Sequence, residues 1–408
     1  MQAGSYSLGA PVVTGGHCRC GFTKLATGSP SACSCSPPYN GLGVKKEMAF
    51  EGFASATDAD YEKYDMSASV LFHSEFHHCS LLHKLGVGPC VRDSTLQYIT
   101  TDRAIAIDVY RRKLHGKQAD MKRLELQTLW SQRQWREKPA VGSITCDFAG
   151  WDLMRFMREF PVDLALYGQI LLACYIKVAA MESVGIRHKD LSDRNVCIDG
   201  RRQRVRFAGL VFTVPTVQVI DCGFTESAYV DTPFVITDKL VELNEDPLPS
   251  VAEMPAAFWK LNCTAENVWG DAYHCMMHPH LHGRALVDFL QLLLFLWQST
   301  SPVPHRRCAC GGSRPCVFRP CFDQDGRKHQ KTERLFHWAY AQGDNPEFCH
   351  GADTVRDVAA MCGVQPEAAA PKDDHGVIDY DEKIRVFRAQ HKSPDMHTNK
   401  RARCDKAA

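Results

Sequence analysis

Apolar residues recur first at a spacing of two and later at three to four, which predicts strands followed mostly by helices. "LGVKKEMAF" (42–50) reads as a short strand, and from about Asp58 to Leu85 the pattern turns helical. Glycine and proline in "KLGVGPCV" close that helix. "TLQYIT" and "RAIAIDVYR" alternate as strands do, and "GSITCDFAG" is a further strand before the helix start "WDLMRFM". Between them, "KQADMKRLELQTLWSQRQWREK" (117–138) is charged and helical, a surface insertion. A long helix is predicted from about Val162 to Val184, with Leu164, Ile170, Leu171, Cys174, Tyr175, Val178 and Met181 at helical spacing. A polar loop, the strand "NVCI" and the strand pair "VRFAGLVF" and "VQVIDCG" come next. Leu286 to Trp297 is apolar on nearly all sides, as a core helix is.

The fold class that follows is α+β, with a small sheet-rich lobe ahead of a larger helical one. Residues 1–24 read as a flexible segment and 25–150 as the sheet-rich lobe, with a helical insertion near 111–140. Residues 151–362 form the helical lobe and 363–408 a flexible polar tail. The stretch "TGSPSACSCSPPYNG" (27–41) has loop composition, and the chain has no internal repeats.

Composition narrows the function only a little. With 408 residues, 45 % of them hydrophobic, the chain can bury a substantial core. A formal net charge of +1 gives no global basic field, so neither nucleic acid nor anionic membrane is the expected partner. No run reaches the roughly 20 apolar residues of a membrane span, and "ALVDFLQLLLFLW" is interrupted by Asp288. The first residues lack the basic and apolar regions of a secretory signal. An intracellular location is expected, cytoplasm or nucleus, and in a reducing compartment the 19 cysteines need not form disulfides. Cys79, Cys90, Cys174 and Cys197 sit singly among apolar residues and read as small buried hydrophobes.

The chemistry gathers in "IRHKDLSDRNVCID" (186–199). Phosphoryl transfer needs a carboxylate near the attacking hydroxyl, oxygen ligands for Mg²⁺ and an anchor for the phosphates. The order His188, Lys189, Asp190, Leu191 and then Asn195 resembles the H-R-D-L-x-x-x-N catalytic loop of protein kinases. Asp221 in "VIDCGFT" resembles the aspartate of that family's D-F-G motif. The resemblance implies that Asp190 is the catalytic base and that Asn195 and Asp221 are metal ligands. It also implies that Lys45 in "LGVK", flanked by Leu42 and Val44, anchors the phosphates and is paired with Glu75. Lys46 is the rival lysine and Glu62 the fallback acid. "ITCDFAGWDL" resembles the kinase hinge, where backbone groups from Asp147 to Ala149 would meet adenine, and Asp288 resembles the aspartate that braces the catalytic loop.

Altogether the chain resembles the eukaryotic-type protein kinase superfamily at its divergent edge, from about Leu25 to Trp297, and more narrowly its viral, herpesvirus-like branch. If that branch is the right one, the intracellular location is a host cell. The fold implied is bilobal, the cofactors ATP and Mg²⁺, and the partner a protein substrate carrying a Ser or Thr hydroxyl. Several positions depart from the family pattern. Only Gly28 survives from the glycine-rich loop, Cys222 replaces phenylalanine, and Lys189 replaces an arginine with a point charge. Ser192 stands where Ser/Thr kinases carry lysine, while Arg194–Asn195 resembles the tyrosine-kinase form.

Other readings compete. A pseudokinase scaffold or a small-molecule phosphotransferase would use the same frame. Cys18, Cys20, Cys33 and Cys35, or Cys308, Cys310, Cys316 and Cys321, could close a tetrahedral zinc site. "HSEFH" lacks the adjacent His–Glu of a zinc protease. "NKRARCDK" reads as a solvated tail or a nuclear-import signal.

Overall fold

A computed structural model describes residues 11–15, 18–24, 42–50, 68–100, 102–103, 105–106, 116–131, 140–230, 285–300, 326–343, 345, 347–367 and 376–391. The chain divides into two compact units. The first comprises residues 1–83, 89–148 and 230–235, and the second residues 84–88, 149–229 and 236–408.

In the first unit, β1 (Pro11–Gly15), β2 (Cys18–Lys24), β3 (Leu42–Phe50), β4 (Val91–Tyr98) and β5 (Ala140–Asp147) form one antiparallel sheet. Its spatial order is β1-β2-β3-β5-β4. Helix α1 (Ala68–Leu85) lays Phe72 and Phe76 against Ile144 and Cys146 of β5. Helix α2 (Gly116–Ser131) is the charged insertion, exposed along most of its length with Ala119 buried. "RAIAIDVYR" was expected as a strand, but residues 102–103 and 105–106 are helical, with Ile105 buried and Arg103 and Ala106 exposed. A short apolar run with alanine between its isoleucines satisfies either period.

The second unit is built around α4 (Leu164–Ser183), started by Asp163, whose carboxylate accepts the Leu166 N–H at 2.7 Å. Ahead of it lie β6 (Trp151–Asp152) and α3 (Leu153–Glu159). After it come β7 (Ile186–Arg187), the hairpin β8 (Val196–Phe207) and β9 (Leu210–Val219), and β10 (Glu226–Ser227) paired with β7. The expected strand "NVCI" runs straight on into the first half of "VRFAGLVF", whose Ala208–Gly209 is the turn rather than strand. Three helices, α5 (Val287–Ser299), α6 (Arg327–Gly343) and α7 (Ala352–Cys362), pack on α4. At Gly168 a β-carbon would lie 2.0 Å from the Cys362 carbonyl oxygen, so only glycine lets α4 pass the end of α7 so closely.

Two expectations are corrected in this unit. Helix α4 is, after all, long and apolar enough to cross a membrane, but 78 % of that window is buried inside the unit, as in a core helix. The stretch expected as an unstructured tail contains β11 (Val377–Asp379), parallel to β8, and α8 (Tyr380–Gln390). Tyr380, Ile384 and Phe387, spaced three to four apart, supply a buried stripe that its overall polarity conceals.

Among the described residues the fold is therefore mixed α/β, with small, mostly antiparallel sheets and eight helices. That is compatible with a kinase-like fold. Cys79, Cys90, Cys146, Cys174, Cys197, Cys222, Cys349 and Cys362 are free thiols; Cys90, Cys174 and Cys197 are buried as expected, whereas Cys79 is half-buried.

Candidate functional site

In β3 the side chains alternate between the two faces of the sheet. Lys46 lies opposite Ile144 and Val44 opposite Cys146, so both share the face that α1 covers. Lys46 Nζ reaches Glu75 Oε1 at 2.5 Å, with side chains 17 % and 8 % exposed. The expected pair of Lys45 with Glu75 is not formed. Lys45 sits on the other face and meets Glu47 at 3.1 Å, both about two-fifths exposed at 43 % and 41 %. A signal for this was present in the sequence: Leu42, Val44, Met48 and Phe50 share one parity, and Lys46 is the charge that interrupts them. Gly28 and Glu62 lie outside the described residues, as do Cys33, Cys35 and the cluster from Cys308 to Cys321.

At the end of β5 the expected hinge is partly committed to the sheet. The Asp147 N–H donates to the Cys90 carbonyl at 2.9 Å and the Phe148 N–H to the Leu42 carbonyl at 3.1 Å. The Asp147 carboxylate receives a two-pronged bond from Arg92 at 2.6 and 2.7 Å, which raises the Arg92 guanidinium further. The Asp147 and Phe148 N–H groups are thereby both engaged within the sheet.

In the second unit the loop His188–Asn195 is held from several sides. Buried Asp288, in the first turn of α5, accepts the His188 N–H at 2.6 Å and the Lys189 N–H at 2.8 Å. These bonds fix Lys189 in the left-handed region, φ 64°, which a non-glycine residue rarely adopts. Burial pushes the Asp288 carboxyl upward, and His188 with the two amide donors pulls it back only in part. One turn further on, Gln291 accepts the Leu191 N–H at 3.1 Å. Asp288 was among the expected residues and Gln291 was not, although a second polar residue within an apolar helix was the available signal.

His188 is fully buried and bridges two parts of the site. Its Nε2 lies 2.9 Å from the Ile220 carbonyl and its Nδ1 3.3 Å from the Asp190 N–H. One neutral tautomer, protonated on Nε2, satisfies both. Asn195 Nδ2 donates to the Asp190 carbonyl at 2.7 Å and to its carboxylate at 3.1 Å. The Asn195 carbonyl in turn accepts the Ile220 N–H at 2.9 Å, so Asn195 and Asp221 leave adjacent ends of the hairpin. Asp221 is left-handed as well, φ 64° and ψ 71°, and begins the single 3₁₀ turn Cys222–Phe224. Cys222 is buried where the resemblance implies phenylalanine. Lys189 Nζ pairs with Glu226 of β10, tying the loop to the strand that follows that turn. A basic residue in the Lys189 position thus has an acidic partner that the sequence reading did not name.

Asn195 and Asp221 are a donor set of oxygens only. Among the described residues no group of three or more His, Cys, Asp and Glu side chains gathers as a metal cage. Two oxygen-bearing side chains are a ligand set that fits Mg²⁺, which keeps waters and takes few protein ligands.

No family model and no curated protein matches the chain. Among solved structures the chain is similar to WaaP in complex with acyl carrier protein, at 15 % identity and a TM-score of 0.26. That match covers 52 % of this chain and spans 59 % of the other, well short of its full length.

Proposed function

We propose that the chain is an ATP- and Mg²⁺-dependent phosphotransferase of kinase-like type, acting on a protein hydroxyl, with serine or threonine as the acceptor. The observation that carries the reading is the Asp190–Asn195–Ile220 connection. A carboxylate, an amide and the residue before Asp221 are hydrogen-bonded together on a loop that Asp288 clamps from beneath. Structural loops seldom enclose so many polar groups without a chemical use.

In this reading Asp190 orients the acceptor hydroxyl and takes its proton as the oxygen bonds to the γ-phosphorus. The bond from that phosphorus to the bridging oxygen breaks, and ADP departs with the electron pair. Asn195 holds the Asp190 carboxylate through Nδ2, and its Oδ1 with the Asp221 carboxylate would hold the metal. Bound Mg²⁺ would supply charge neutralisation on the phosphates. Lys46, fixed by Glu75, takes the phosphate-anchoring role that the sequence reading gave to Lys45.

The deciding experiment is radiolabelled-ATP transfer to a generic Ser/Thr substrate by wild type, Asp190→Ala and Lys46→Ala, beside thermal shifts with Mg-ATP. Transfer by wild type that both variants lose supports the reading. Mg-ATP binding without transfer would point to a pseudokinase scaffold, and neither binding nor transfer would remove phosphotransfer altogether.

A further inference from the structure

Segment 376–391 touches three places in the second unit. Tyr380, fully buried, donates its hydroxyl to the Gly86 carbonyl at 2.8 Å. Lys177 of α4 donates to the same carbonyl at 2.6 Å and also bonds the Tyr380 oxygen. The turn that ends α1 is thereby pinned by a residue nearly three hundred positions away. Asp381 accepts the Ala208 and Gly209 N–H groups at 2.8 Å each, closing the β8–β9 turn, and Asp379 pairs with Arg206 at 2.8 Å. Finally, the rings of Phe387 and His391 pack on Tyr229 at 5.3 and 5.7 Å, and Arg388 donates to the Ser183 carbonyl at 2.8 Å. Tyr229 itself donates to the Val184 carbonyl at 2.7 Å.

These contacts include none of the proposed phosphotransfer residues. The hairpin that Asp381 closes has its other end at Asn195 and Asp221. Tyr229 terminates the short segment that follows Asp221 and includes Glu226, the partner of Lys189. The attachment is also narrow: Tyr380, Ile384 and Phe387 are the helix's buried residues, while Glu382 and Arg385 pair with each other in solvent. With three buried residues against the fourteen of α4, this helix opens at lower free energy than the core helix.

We propose that β11 and α8 form an intramolecular brace that positions residues 222–229, so that release of this C-terminal segment lowers turnover without dissolving the fold. The proposal rests on the phosphotransfer reading for its effect on rate, but not for its effect on structure.

Hydrogen exchange on the full chain separates the two. In Phe387→Ala, amides of residues 226–229 are expected to exchange at least tenfold faster, while those of α4 keep their protection. In the transfer assay kcat is expected to fall fivefold or more with the KM for ATP within twofold, and Phe387→Tyr to restore both readouts. His391→Ala, at the half-buried end of the helix, should give the same pattern more weakly and serves if Phe387→Ala does not fold. Unchanged exchange at 226–229 in a variant whose α8 amides are exposed overturns the brace. Loss of α4 protection in His391→Ala would overturn it too, by making α8 part of the global fold. A wild type that transfers no phosphate would sink the phosphotransfer reading and leave the exchange result to decide the brace alone.

Discussion

The Lys46–Glu75 pair in the first unit and the His188–Asn195 loop in the second reach a defined geometry by opposite routes. The first depends on strand parity: one ion pair, on the face of β3 that α1 covers, selects Lys46 over its neighbour. The second depends on an enclosure in which buried side chains of α5 hold the backbone amides of His188, Lys189 and Leu191. A parity-set pair can be exchanged for its neighbour only by flipping a whole strand. An enclosed loop has many supports, each costly to remove because a buried donor is left without an acceptor.

The largest expected effect tests the parity route. Lys46→Met should lower kcat/KM for Mg-ATP by at least ~100-fold, about 2.7 kcal/mol of transition-state stabilisation. Lys45→Met should change it by less than about threefold, because an exposed pair such as Lys45–Glu47 contributes only ~0–1 kcal/mol. Steady-state kinetics on the two variants side by side decide the assignment; equal losses would mean that both faces of β3 serve the nucleotide.

The contrast also marks how much could be read from the sequence. Loop chemistry was legible because Asp190, Asn195 and Asp221 are ordered along the chain, and Asp288 stood out as a carboxylate in an apolar helix. The choice between Lys45 and Lys46 turns on the parity of the strand, which the apolar residue next to Lys45 does not report. Nothing local could have revealed the two-pronged Arg92–Asp147 bond, since its partners lie 55 residues apart on paired strands. The same holds for α8: its buried face is three residues in a polar helix, and its partners Gly86 and Tyr229 are distant in sequence.

Next in size is the enclosure. Asp288→Ala removes the acceptor for two buried amides, each costing roughly 1–3 kcal/mol when left unpaired. A loss of about 2–6 kcal/mol in urea unfolding is expected, with Asp288→Asn intermediate because one side-chain oxygen survives. Gln291→Leu, which frees one amide, should cost about 1–2 kcal/mol. An Asp288→Ala variant as stable as wild type would show the loop to be held from elsewhere.

A pH effect isolates a third buried polar group, outside both regions. Burial above all, and then the Lys383 charge, lowers Lys177 to about 7. Burial raises the nearby Tyr380 phenol and lifts Cys174 to about 12, so neither ionises in the window that matters. Between about 7 and the ordinary 10.5 the unfolded amine keeps a proton that the folded one has released. Stability from this group therefore climbs as pH rises through that interval and levels off below about 7. The span is of the order of a few kcal/mol, from about 1.4 kcal/mol per unit. Lys177→Met should flatten the climb in urea titrations between pH 7 and 9.5; an identical slope in both proteins would mean that Lys177 stays charged.

The smallest effect returns to the enclosed unit and asks how tightly it is filled at its family-like turn. Cys222 is buried directly after Asp221, where the resemblance implies a phenylalanine. If the pocket around the thiol is packed to ordinary interior density, a phenyl ring must displace its neighbours at about 1–3 kcal/mol. Cys222→Phe is then expected to lower the unfolding midpoint, and Cys222→Ala to lower it less, since removing one sulfur leaves only a small void. Together the two variants distinguish a turn fitted to cysteine from one that merely lacks its aromatic residue. A Cys222→Phe protein as stable as wild type would reveal room beside Asp221, and the enclosure would then end at Asn195 instead of extending through the turn.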